Sequence, residues 1–326
     1  MALTPPGAVE GWLWRLSVAN LVANMLIVVT GGAVRVTGSG LGCPTWPRCT
    51  EGSYRPHGAL GVHGAIEFGN RMLTFVLVAI AIACWVAALV LLVRRWRATR
   101  PWRFFWLATG VVLGIPAQAV IGGFTVLTDL NPYVVAFHLL VSMALIGLCV
   151  VLVDAQRGPP RPAAPPRMRR LTWVVFAAAW VVLYLGTVVT GSGPHSGDLD
   201  ARRTGLDPQL MSHVHAIAVY VLVAVTVGLV VTAHRTGAGI VLRAGLLLLG
   251  VELAQGFVGF TQYFLDLPEA LVVLHLLGAA LVSACATAVP LSARARDAGS
   301  ATTETGKALG QPSSGSTATA TKSSAR

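Results

Sequence analysis

Charge is scarce in this chain: Asp, Glu, Lys and Arg together make up 11% of its 326 residues, where a soluble domain carries about 25%. With 55% of residues hydrophobic, that shortage excludes an ordinary soluble fold and points to a membrane-embedded one. Lysine is nearly absent, and arginine carries most of the positive charge. That preference reads as genomic base composition. The net charge of +11 would suit a nucleic acid, yet the arginines form short clusters between apolar runs and no surface stripe. No nucleic-acid partner is expected, and the clusters report orientation in a bilayer instead. A cleavable signal is not expected either: Met1–Glu10 lacks a basic region and the first apolar run lacks a small-residue cleavage site. Cysteine is sparse, with five copies. Cys84, Cys149 and Cys285 lie inside apolar segments and read as small hydrophobes, while Cys43 and Cys49 share a loop. A dense group of Cys, His and carboxylate, as zinc would want, is missing from the pattern.

What is present is a set of long apolar runs. A bilayer core about 30 Å thick needs roughly 20 apolar residues as a helix. Eight segments qualify, at about 12–34, 60–93, 102–127, 132–153, 171–191, 208–233, 240–264 and 269–291. Arginines cluster in alternate loops: Arg94, Arg95, Arg97, Arg100 and Arg103; then Arg157, Arg161, Arg167, Arg169 and Arg170; then Arg235 and Arg243; then Arg294 and Arg296. The opposite loops hold Asp129, Asp198, Asp200, Asp207, Asp266 and Glu269. The positive-inside rule therefore puts both termini in the cytoplasm of a multi-pass plasma-membrane protein. The Pro-rich stretch 157–170 reads as a cytoplasmic linker, and residues 297–326, rich in Ser, Thr, Ala and Gly, as a disordered cytoplasmic tail.

An internal repeat organises these segments. Val28-Val29-Thr30-Gly31 answers to Val188-Val189-Thr190-Gly191, and Val62-His63 to Val214-His215. Gln118-Ala-Val-Ile-Gly122 resembles Gln255-Gly-Phe-Val-Gly259. Asp129 and Pro132 match Asp266 and Pro268, and each proline leads to a His-Leu-Leu, at His138 and His275. Four segments per half is an even number, so the halves share an orientation. The expected fold is an all-α polytopic membrane protein, its eight transmembrane helices forming two parallel-repeat four-helix bundles, residues 1–156 and 171–296.

Ionisable groups inside a bilayer are costly and mark function. His138 and His275 lie early in the fourth and eighth segments, about 10 Å below the outer surface. His215 reaches a similar depth, and His63 opens the second segment. Each half thus supplies one histidine from its second helix and one from its fourth, the usual way a four-helix bundle ligates b-type haem. Taken singly, each could be a buried, hydrogen-bonded side chain; the matched pairs favour iron. His213 competes with His215, and the repeat favours His215. His57 and His234 read as solvated.

Glu67 sits one turn below His63, with Asn70 and Arg71 on nearly the same face. A membrane carboxylate beside a haem can act as general base or stabilise a cation; an ion pair with Arg71 that only steadies the helix is the alternative. Its counterpart in the second half, Val219, is apolar, which suggests one reactive half and one that holds a cofactor. Glu252, one turn before Gln255, reads as polar packing or proton handling. Arg35, Arg71, Arg202 and Arg203 lie where haem propionates need cations, although interfacial snorkelling also explains them. His195 could orient a propionate or shape the pocket. Cys43 and Cys49, on the oxidising side, can close a small disulfide loop that is structural or an electron relay.

These residues resemble the haem A synthase family. The resemblance runs from about 12 to 291 and rests on Thr30-Gly-Gly-x-Val-Arg35-x-Thr37-Gly-Ser39-Gly, the Cys43/Cys49 loop, Glu67-x-x-x-Arg71, Gln118-x-x-x-Gly122, Thr190-Gly-Ser-Gly-Pro-His195-Ser-Gly-Asp198 and the two His-Leu-Leu sites. It implies oxidation of the C8 methyl of haem O to a formyl group for terminal oxidase biogenesis. It further implies haem b as cofactor on His215 and His275, the substrate haem in the N-terminal half near His63 and His138, the conserved acid at Glu67, and a Cys43–Cys49 disulfide. Haem O synthase and cytochrome oxidase assembly factors would be partners, together with an electron acceptor the residues do not name. The sequence departs from the family at Asn70, where many members have a histidine; His63, seven residues earlier on the same face, can replace it, or His138 can bind alone. An electron-transfer cytochrome b with two haems is the competing reading.

Overall fold

Hydrocarbon offers the backbone no hydrogen-bond partners, so a chain this apolar must satisfy its own N–H and C=O groups by forming helices. The computed structural model describes residues 8–96, 101–156 and 161–296, without the side chain of Ala59. Arg97, Arg100, Arg157, part of the expected linker and the tail 297–326 lie outside the described residues. Eight helices follow in order: α1 (Ala8–Val36), α2 (Gly61–Arg94), α3 (Trp102–Leu127), α4 (Pro132–Gln156), α5 (Pro166–Ser192), α6 (Pro208–Arg235), α7 (Gly239–Phe264) and α8 (Glu269–Ser292). All eight are long and apolar enough to cross a membrane. The protein is therefore a multi-pass membrane protein, all-helical among the described residues, as the apolar runs predict.

The helices start and stop for local reasons. Proline, whose missing N–H costs nothing in a first turn, opens α4, α5 and α6. Asp207 caps α6 by accepting from the Leu210 N–H at 2.7 Å. Several helices outrun their apolar segments. The fifth reaches back to Pro166 and the first to Ala8, because interfacial residues continue the hydrogen-bond ladder after hydropathy has faded. Between α3 and α4, Asp129 and Leu130 have φ of 50° and 55°; between α7 and α8, Asp266 and Leu267 have 57° and 60°. In both corners the leucine N–H bonds a carbonyl five residues back, Leu130 to Thr125 and Leu267 to Gln262, each at 2.8 Å.

Packing has a cyclic order. Among the described residues α1 meets α2 and α4, and α3 meets both of those; α5 meets α6 and α8, and α7 meets both of those. The diagonal pairs, α2 with α4 and α6 with α8 among them, keep their backbones apart. The two sets join through α1, α4, α5 and α8. Close approach at this junction uses small residues, as membrane helices do: Gly32 lies under Leu276, and Gly147 against the Thr287 hydroxyl. Ser283 also donates to the Met143 carbonyl at 2.8 Å.

Each set has its own apolar core, one around Leu77, Ile115 and Leu152, the other around Val175, Leu229 and Leu248. A polar seam that the apolar pattern did not reveal runs along α1. Ser17, Asn20 and Asn24 are buried, with Ser17 beside the Cys84 sulfur and accepting from Gln156 Nε2 at 2.7 Å. At the opposite end from the cysteine loop, Arg296 and Arg161 clasp Asp154, tying the end of α8 and the segment before α5 to α4.

Candidate functional site

The spacing Gln-x-x-x-Gly places two residues one turn apart on a single helix face, and here that face meets a histidine. Gln118 Nε2 in α3 donates to the His138 carbonyl in α4 at 3.1 Å and also to the Ser142 hydroxyl. A methyl group at Gly122 would stand 3.2 Å from Cε1 of the same imidazole. The α7–α8 pair repeats this: Gln255 Nε2 donates to the His275 carbonyl at 2.9 Å, and a methyl at Gly259 would lie 3.4 Å from His275 Cε1. The glutamine pins the histidine's backbone and the glycine leaves room for its ring.

His215 in α6 has a comparable seat on α5, where a methyl at Gly186 would lie 3.4 Å from its Cε1. Its Nδ1 is buried without a hydrogen-bond partner. His213 points elsewhere: it is exposed, with its ring 6.3 Å from that of Tyr263. His63 is held differently. It is exposed, its Nδ1 bonds the Ser39 hydroxyl at 2.9 Å, and its backbone packs on Gly42.

Glu67 is 5% exposed and fully engaged. Oε2 accepts from the Cys43 N–H at 2.6 Å, and Oε1 from Arg71 Nε at 3.1 Å and Nη2 at 2.5 Å. Arg71 also donates to the carbonyls of Cys43, Thr45 and Arg48 at 3.1, 3.1 and 3.3 Å. The acid and the arginine therefore cradle the loop closed by the Cys43–Cys49 disulfide. Asn70 accepts from the Thr30 hydroxyl at 2.7 Å, which ties α2 to α1.

Arg35 links the two sets. Its Nε donates to the His195 carbonyl at 2.5 Å and its Nη2 to the Thr190 carbonyl at 2.8 Å. The Gly40 N–H bonds the Gly197 carbonyl at 2.8 Å beside it. Arg203 closes the same loop through the carbonyls of Ala201 and Pro194, each at 2.7 Å, while Arg202 is exposed. Arg35 thus works as a strap, a role that its interfacial position alone did not reveal. Glu252 is 2% exposed; Oε1 accepts from the Thr226 hydroxyl at 2.9 Å and Oε2 has no partner.

Haem-iron ligation asks for an imidazole with a free lone pair, held at a fixed angle inside a bundle. Nδ1 of His138, His215 and His275 is buried and without a hydrogen-bond partner. Left so, each nitrogen costs about 1–3 kcal/mol. Such rings, seated on glycines in sets whose diagonal helices stand apart, fit a porphyrin ligand. Among the described residues no cluster of three or more His, Cys, Asp or Glu could hold a bare metal ion.

Comparison with known proteins gives the same direction. The family model COX15-CtaA, cytochrome oxidase assembly protein, matches residues 14–59 and 61–287. The "Heme A synthase" of Geobacillus thermodenitrificans is 31% identical over 145 residues, which are 44% of this chain and 43% of that one. The "Heme A synthase" of Bacillus pumilus is 31% identical over 53% of this chain and 57% of its own length. That of Sinorhizobium fredii is 25% identical over 84% and 86% respectively. The chain spans about half the length of the first two relatives and most of the third. Because the family match runs from α1 through α8, the chain belongs to the COX15-CtaA family of cytochrome oxidase assembly proteins.

Proposed function

We propose that this protein is a haem A synthase of the plasma membrane, oxidising the C8 methyl of haem O to a formyl group. The observation that carries the reading is the repeated seat of Gln118–Gly122 under His138 and Gln255–Gly259 under His275. In this reading residues 1–156 hold the substrate haem through His138 and His63, and residues 171–296 hold haem b through His215 and His275. The arginine-rich ends face the cytoplasm, with both termini, and the cysteine loop faces the opposite side. Bound haem would supply the redox chemistry, relaying the electrons removed from the methyl group to an external acceptor.

The chain's own groups bind, orient and move protons. The glycine seats fix where each imidazole lies, and the glutamines hold the peptide behind it, as outer partners of metal ligands do. Glu67 is held by Arg71 and the Cys43 N–H; near the substrate haem its carboxylate would stabilise positive charge, or take a proton on giving up one of those bonds, as the methyl is oxidised. The farnesyl tail of haem O favours entry from lipid. Haem O synthase and oxidase assembly factors are the natural neighbours for such a substrate and product.

The equal seats under His138 and His275 also suit an electron-transfer cytochrome b. Pigment analysis of purified protein separates the two. Haem b together with haem O or haem A is the expected result, with haem O accumulating in Glu67→Ala. Two haems b per chain and rapid quinone reduction would replace the synthase with the cytochrome.

A further inference from the structure

Gly122 and Gly123 are neighbours on α3 with different burdens. Gly122 backs His138, whereas Gly123 lies beneath the indole of Trp46, and a methyl there would collide with Cγ, Cδ2 and Cε2 of that ring. Successive residues on a helix point about 100° apart, so the tryptophan sits on the flank of α3 beside the histidine seat. That flank faces α2: Phe105 and Thr109 on it meet Trp85 of α2. Trp46 belongs to the disulfide loop, whose residues on either side are held to α2 by Arg71 through the Thr45 and Arg48 carbonyls. The loop therefore bridges the α2–α3 seam at the level of His138.

The second set is built otherwise. By the repeat, Phe260 stands where the first set has Gly123, and it belongs to the helix itself; the loop 193–207 contains no tryptophan. An aromatic ring carried by a loop can leave and return, which one built into a helix cannot.

Resting on the haem A synthase reading, we propose that Trp46, seated on Gly123, is a removable wall of the substrate-haem pocket that positions the porphyrin at His138 and closes the α2–α3 seam. Its broad, rigid ring suits packing against a porphyrin edge. It acts as a positioning residue.

The test uses full-length protein purified with its pigments, as wild type, Trp46→Ala, Trp46→Phe and Gly123→Ala. Trp46→Ala should lose about five-fold of the prenylated haem held per chain and raise KM for haem O by a similar factor, with kcat and haem b content nearly unchanged. Trp46→Phe should restore most of the retention, and Gly123→Ala, which evicts the indole, should resemble Trp46→Ala. Unchanged retention and KM in Trp46→Ala would overturn the proposal. So would parallel loss of haem b in Trp46→Ala and Trp46→Phe, since the loop would then only support the fold. If wild type carries two haems b per chain, the synthase reading fails separately. The haem at His138 must then still loosen in Trp46→Ala, and its undisturbed retention would sink the wall.

Discussion

Removing the Glu67 carboxylate should open the cysteine loop before it affects anything else. In Glu67→Ala three hydrogen bonds disappear: one from the Cys43 N–H and two from Arg71. The Cys43 amide, left buried without an acceptor, costs about 1–3 kcal/mol. Breaking a fully buried ion pair costs about 3–5 kcal/mol. Here the Arg71 side chain is 19% exposed and keeps three carbonyl acceptors, so the charge contribution falls to about 1–2 kcal/mol. The sum is about 2–5 kcal/mol, concentrated at the loop. Glu67→Gln keeps an acceptor for Cys43 and should lose only about 1–2 kcal/mol. A sensitive assay is the rate at which a small thiol reduces the Cys43–Cys49 bond in detergent-solubilised protein. If local opening limits access, 2 kcal/mol is about a thirty-fold acceleration for the alanine variant, with the glutamine variant between it and wild type. Equal reduction rates in all three would refute the anchoring argument. A glutamine variant whose loop is intact yet which cannot oxidise haem O would assign Glu67 to the chemistry as well.

Arg35→Ala should weaken the junction between the two sets, since two hydrogen bonds to carbonyls of the other set vanish; a loss of about 1–3 kcal/mol is expected in thermal unfolding, and Arg35→Lys, which has no planar fork, should recover little of it. Gln255→Leu removes the hydrogen bond that pins the His275 peptide while sparing both proposed ligands. It should loosen the second-set haem by about ten- to a hundred-fold, read as pigment lost on dilution, whereas Gln118→Leu should loosen only the first.

The histidine seats were partly legible in the sequence. Paired histidines and the repeated Gln-x-x-x-Gly stand out because a parallel repeat shows itself as matching letters. Those letters do not say that glutamine binds the histidine's own carbonyl while glycine backs its ring. Trp46 on Gly123 was missed because loop and helix lie far apart in the chain; the signal available was the glycine pair in α3 where the second half has Gly-Phe. Asn70, where the resemblance implies a histidine, accepts a hydrogen bond from Thr30 in α1, a contact between distant stretches that the letters do not record.

The number of spans, their apolar character and the duplicated motifs were determined by sequence alone, since the cost of placing a segment in hydrocarbon depends on that segment's own residues. The partners of Glu67, the strap from Arg35 to Thr190 and His195, and the clasp of Arg161 and Arg296 on Asp154 were decided only in the tertiary structure. Those groups come from distant stretches of chain, and the packing angle of the helices fixes which carbonyl or cation each one meets. Hydropathy carries no record of that angle.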